Sequence, residues 1–206
     1  MITFKQYLGE DKFLGEEPPA EVKILLEKHC GPFLKEAKGG FLYRGVKIDT
    51  GIPGSTEAYD GTNMDFIKKA VRTDRKPKDM SRKRTTIVDD WFNEKFGIRA
   101  RTNCVFAAGA GLHRNELSHY GTPCIIFPIG DIKYVWSEHV EDMYNVMDEY
   151  EEEKITKWLG GAGYQTTDLQ HACRGRNEIM VQCSSYYAFP MEYATLLRES
   201  LTTGKT

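Results

Sequence analysis

Runs with strand character are spread along the whole 206-residue chain instead of being grouped, and helical periodicities lie between them. The stretches at 40–46, 99–108, 124–127, 132–136 and 177–189 are apolar and rich in β-branched or aromatic residues, as half-buried or buried strands are. Between them, Pro18 and Pro19 precede Val22, Leu25, Leu26, Cys30, Phe33 and Leu34, a spacing that puts one apolar stripe on a helix, interrupted at Gly31-Pro32. The clearest helix is 85–97. Thr86 and Asp89 approximate a capping box there, Ile87, Val88, Trp91 and Phe92 share a face, and Gly97 ends it. An acidic helix follows the 132–136 run, with Val140, Met143, Met147 and Tyr150 on one stripe. The segment 49–63, full of Gly, Pro, Ser and Asp, reads as a loop, and 160–178 as irregular chain. Strands and helices mixed in this way predict an α+β fold. One domain over 1–206 is expected, its helical N-terminal part (1–38) packed on a core at 39–206.

The 28 basic and 30 acidic side chains nearly cancel, and a net charge of −2 argues against a general polyanion binder. Charge is unevenly placed: nine Lys or Arg lie between Lys68 and Arg84, and eight acids with no Lys or Arg between Glu138 and Glu153. Each run alone reads as a solvated face. Five cysteines, odd in number and never spaced Cys-x-x-Cys, support neither a disulfide framework nor a thiolate zinc site, so no metal is expected. His113 and His119, six residues apart, fall on different faces of a helix and make no metal pair. Gly109-Ala110-Gly111 matches neither a dinucleotide nor a P-loop fingerprint. Without a signal-like or membrane-spanning run, the expectation is a cytoplasmic protein with no membrane partner. The segment 127–131, Phe-Pro-Ile-Gly-Asp, is distinctive and has no evident chemistry.

Two charged residues stand out against apolar surroundings. Glu178 heads the otherwise carboxylate-free run at 177–189, and Arg44 sits inside Leu42-Tyr43-Arg44-Gly45-Val46. Taken singly, each also reads as an ordinary strand residue with its head group in solvent. Between them lies Arg101-Thr102-Asn103, followed by Val105-Phe106. In this order the three pieces resemble the mono-ADP-ribosyltransferases of the Arg-Ser/Thr-Glu type. In that family a first strand reads aromatic-Arg-Gly, a middle strand carries a Ser-Thr-Ser-like motif, and a late strand opens Glu-aliphatic-aliphatic-aliphatic.

The resemblance implies an ADP-ribosyltransferase-like split β-sandwich with flanking helices, and NAD as substrate in a cleft between two small sheets. It implies that Arg44 binds the pyrophosphate, for which a planar guanidinium supplies paired donors. Glu178 would stabilise oxocarbenium character on the ribose as the nicotinamide bond breaks, and Thr102 would hold Glu178 in place. Tyr43, Gly45, Asn103 and Tyr164 would complete the NAD site, and 164–177 would correspond to the target-recognition loop. Two departures from the family pattern stand out, and the second argues against arginine as the acceptor. Arg101-Thr102-Asn103 is not Ser-Thr-Ser, and Arg176 stands where arginine-modifying members carry a second Glu. Arg176 and Arg174 would suit an anionic acceptor such as nucleic acid, or a phosphate-bearing surface. The expected activity is transfer of ADP-ribose to a macromolecule, protein or nucleic acid, in a compact effector of the kind bacteriophages deliver into host cytoplasm. The alternatives are an NAD glycohydrolase, with water as acceptor, and a non-catalytic nucleic-acid- or protein-binding phage protein.

Overall fold

The computed structural model describes residues 5–6, 13–17, 19–47, 64–73, 80–148 and 150–202. The expected loop at 49–63 and the middle of the basic run, 74–79, lie outside them. The elements in chain order are β1 (Lys5–Gln6), β2 (Phe13–Glu17), α1 (Pro19–Ala37), β3 (Leu42–Val46), β4 (Met64–Ala70), α2 (Arg82–Phe96) and α3 (Ala100–Asn103). They continue with β5 (Val105–Ala108), α4 (Arg114–Ser118), β6 (Thr122–Ile129), β7 (Lys133–Trp136), α5 (Met143–Asp148) and α6 (Glu152–Gly161). The last are α7 (Leu169–Ala172), β8 (Glu178–Gln182), β9 (Ser185–Pro190), a short 3-10 turn at Met191–Tyr193 and α8 (Ala194–Thr202).

The fold is mixed α and β. Seven strands, β3 to β9, form an antiparallel sheet with flanking helices, and β2 and β1 extend its β4 edge in the order β1-β2-β4-β9-β6-β3-β5-β8-β7. The N-terminal part is therefore not helical throughout. The ladder is broad between β6 and β9, with six residue pairs, but narrows to the single pair Tyr43↔Ala108 between β3 and β5. One of two cores runs across that seam, and the other lies only on the strands beyond it. A first core gathers α1, with Val22, Leu26, Phe33 and Ala37, against Leu42, Phe127 and Phe189. A second core covers the other face of β5-β8-β7, packing Val88 and Phe92 of α2, Ile155 and Leu159 of α6, and Met143 and Met147 of α5 on Met180 and Val135.

Several local expectations change. The run at 177–189 is two strands, β8 and β9, that are not neighbours: Cys183 and Ser184 carry the chain from β5's side of the sheet to β6's. The acidic helix is broken into α5 and α6. The clearest helix starts earlier than expected, at Arg82, because Ser81 caps it, its hydroxyl oxygen accepting from the Arg84 N–H at 3.2 Å. Asp89 is thereby released from any capping role. The stretch before β5 is not extended either, since residues 100–103 close one helical turn.

The 127–131 segment has a packing role. Pro128 pairs with Tyr186 of β9 and lies beyond the last β3 pair, Leu42↔Ile126, so β3 does not need the N–H it lacks. Gly130, at φ 77°, then turns the chain and donates its N–H to the His29 carbonyl at 2.9 Å, next to the kink of α1 at Cys30.

Candidate functional site

Alternation along β8 sends Ile179 and Val181 into the first core and Met180 into the second, so Glu178 and Gln182 share the second-core face with Met180. In β5, register pairs Ala108 with Glu178 and Phe106 with Met180, which puts the Phe106 ring on that same face. Arg44 approaches from β3 across the narrow seam, and one of its guanidinium nitrogens donates to the Phe106 carbonyl. The Arg101 guanidinium lies over the Phe106 ring, 4.7 Å from its centroid. Two cations thus meet at one β5 residue, one on its carbonyl and one on its ring.

Glu178 faces this pair. The residue as a whole is half-buried, but its Oε2 is sealed from solvent and has no hydrogen-bond partner among the described residues. Burial pushes its carboxyl up to about 7, with Asp142 adding in the same direction. Arg101, the Met143 N–H and Arg44 pull the other way and do not restore the ordinary value. The Tyr164 hydroxyl nearby is also buried without a partner, and burial, the Glu178 charge and Asp142 all hold it protonated. Its ring is fixed by Phe92 at 4.8 Å and Trp91 at 6.2 Å, centroid to centroid. A sealed carboxyl that carries a proton near neutrality, beside an unpartnered phenol and two guanidiniums, is an arrangement associated with ligand sites and acid–base chemistry.

What aims these groups is largely backbone. The carboxylate of Asp89, buried on α2, accepts from the Arg101 N–H at 2.6 Å, the Thr102 N–H at 3.4 Å and the Thr102 hydroxyl. It thereby brackets α3 from outside and turns Arg101 toward β5. At the head of β8, the Glu178 N–H donates to the Glu141 carbonyl at 2.9 Å. The glycine-rich turn 109–111 docks there too: the Ala110 N–H donates to the Cys173 carbonyl at 2.9 Å and the Gly111 N–H to the Gly175 carbonyl at 3.0 Å. A Cβ at Gly109 would stand 2.5 Å from the backbone atoms Ala172 O, Cys173 C and Gly175 O. Gly109→Ala is accordingly expected to destabilise the protein by about 1–3 kcal/mol through overpacking, read as a lower thermal midpoint.

Of the residues expected to act together, Arg44, Glu178 and Tyr164 converge. Thr102 lies in α3, not on a strand, and its hydroxyl donates to Asp89; of the Arg101-Thr102-Asn103 triplet, Arg101 is the residue whose charge acts on Glu178. Asn103 closes α3, its N–H donating to the Arg99 carbonyl at 2.9 Å. Tyr43 is buried in the first core, its hydroxyl near Arg198, and is no stacking platform on the Glu178 face. Gly45 answers a close approach: a side chain there would meet the Leu117 carbonyl and stand 2.7 Å from the Tyr120 Cβ. Arg176 forms ion pairs with Glu116 at 3.1 Å and Glu141 at 3.3 Å, while Arg174 is exposed. Among the described residues no cluster of three or more His, Cys, Asp or Glu is arranged to hold a metal, and no helix is long and apolar enough to cross a membrane.

Asp142 escapes the sequence reading, Asp89 reads there only as part of a capping box, and which member of the Arg101-Thr102-Asn103 triplet faces the cleft stays open. Asp89 carried a signal: it occupies a position on the α2 stripe Thr85, Val88, Asp89, Phe92 and Phe96, where periodicity asks for an apolar residue. No protein-family model, curated protein or solved structure matches this chain.

Proposed function

We propose that this chain is an NAD-dependent mono-ADP-ribosyltransferase, with the specific split-sandwich fold of that class, acting on a protein or nucleic-acid acceptor. The observation that carries the reading is that β3, β5 and β8, which bear Arg44, the Val105-Phe106 part of the middle piece and Glu178, are consecutive neighbours in the sheet, with the Arg101-Thr102-Asn103 turn leading directly into β5. Their two charged residues are drawn to one place. The one-pair ladder between β3 and β5 supports a sheet that divides there, as a split sandwich requires.

In this reading Arg44 binds the pyrophosphate and Glu178, once ionised, stabilises the positive charge that develops on the ribose as nicotinamide leaves. Tyr164 closes the site beside it. Arg176, exposed but tied to Glu116 and Glu141, holds the chain just ahead of Glu178, and exposed Arg174 would meet an anionic acceptor. Water in place of a macromolecule would make the same site a glycohydrolase.

Nicotinamide release from NAD, followed with and without protein or polynucleotide acceptors, tests the reading. Release is expected from the parent protein, and Arg44→Ala is expected to weaken NAD binding by about tenfold or more, the loss of a charge-assisted bidentate contact. Release without label transfer to any acceptor would select hydrolysis. A parent protein that neither binds nor cleaves NAD would end both.

A further inference from the structure

We infer that Arg101 is a second anion-binding residue, forming with Arg44 a fork on Phe106 that receives a phosphate group of a ligand whose other end meets Glu178. The inference rests on the NAD reading for the ligand's identity and on geometry alone for the site. Arg101 makes no side-chain hydrogen bond or ion pair among the described residues; its guanidinium stacks on the Phe106 ring and its charge reaches Glu178 through space. Other charges in this region are committed: exposed Arg176 to two glutamates, buried Asp89 to α3, half-buried Arg84 to the Met147 carbonyl at 3.0 Å. A guanidinium held by its flat face keeps its N–H edge directed away from the ring, which is the edge that takes phosphate oxygens.

The carboxyl opposite fits the same ligand. Glu178 Oε2, also without a partner, is a buried acceptor left for a hydroxyl or for a positive charge. The fork and the carboxylate are therefore complementary to a bipolar ligand, a phosphate at one end and a hydroxylated or cationic group at the other. A bare anion fits only half of this. It would compete with ionised Glu178 for the two guanidiniums and be repelled by it.

Inorganic pyrophosphate separates these statements from NAD turnover. Calorimetric titration should show binding to the parent, weakened about tenfold or more in Arg101→Gln and partly recovered in Arg101→Lys, which restores charge without the planar edge. Glu178→Gln should tighten pyrophosphate binding about three- to tenfold by removing the competing carboxylate. Lys95→Gln, an exposed charge outside the site, should leave it unchanged. A thermal midpoint for each variant identifies any that has lost its fold, and the Lys variant then carries the comparison. Unchanged affinity in Arg101→Gln, no binding by the parent, or equal weakening by Lys95→Gln would overturn the inference. Pyrophosphate binding without NAD cleavage would leave the anion site standing and remove the transferase reading.

Discussion

Replacing Glu178 by glutamine is expected to abolish turnover and, at the same time, to stabilise the fold. Loss of a charge that acts on the developing ribosyl cation should lower nicotinamide release by about 10²–10³-fold, while NAD still binds. The gain in stability follows from burial. The Glu178 carboxyl is raised from an ordinary 4.5 to about 7 in the folded protein, so folding favours its protonated form. Below the unfolded value both states hold the proton and the site exacts no penalty. Between 4.5 and 7 the unfolded chain ionises first and stability falls as pH rises; above 7 the loss is constant, at about 3 kcal/mol for a shift of this size. Glutamine cannot ionise, so the variant should gain on the parent progressively across that window and show little difference near pH 4. Denaturant unfolding of both proteins from pH 4 to pH 8 reads this directly. A parallel pair of curves would mean that Glu178 is not held protonated by its surroundings. The same titration predicts that kcat/KM of the parent rises with pH through about 7, since the carboxyl must lose its proton to stabilise a cation.

A buried carboxyl that weakens the fold at neutral pH is the kind of residue retained for chemistry, and its prominence in the sequence has the same origin. Glu178 and Arg44 were legible because each is a lone charge in an apolar run, a pattern visible without coordinates. The general character of the fold was legible for a related reason: short β-rich stretches separated by helical periodicities leave few arrangements other than a mixed sheet with helices on it. What was hidden depended on contacts across the chain. Arg99 to Ala108 reads as one strand by composition, yet the Asp89 carboxylate, 12 to 13 residues upstream, captures the amides of Arg101 and Thr102 and winds that stretch into a turn before β5 begins. That single tertiary contact decides which member of the Arg101-Thr102-Asn103 triplet has its charge on Glu178, a choice the sequence leaves open. Likewise the 177–189 run is interrupted at Gln182, Ser184 and Ser185, but that short polar stretch does not show that its two halves pair with different strands. Local pattern records burial on either side of that crossing and cannot record which neighbour supplies it.

Because Asp89 holds α3 from a different helix, Asp89→Ala should unsettle more than its own contacts. The substitution strands two amide N–H groups and the Thr102 hydroxyl at a position where Asp89 is only 2% exposed. Hydrogen bonds to a buried carboxylate and the desolvation of abandoned donors together suggest a loss of about 3 kcal/mol, a fall in thermal midpoint of roughly 6–12 °C for a chain of this length. Asp89→Asn keeps one acceptor oxygen and should lose about half as much. Thr102→Val removes only the hydroxyl, and in the Asp89→Ala background it should cost almost nothing further, since its partner is already gone. The resulting coupling, about 1–2 kcal/mol in a double-mutant cycle, is the signature of a direct bond within a bracket. Additive losses would show Asp89 to be an ordinary buried polar residue. In Asp89→Ala, pyrophosphate affinity should fall with the bracket even where the protein remains folded, because Arg101 loses the backbone anchor that points it at Phe106.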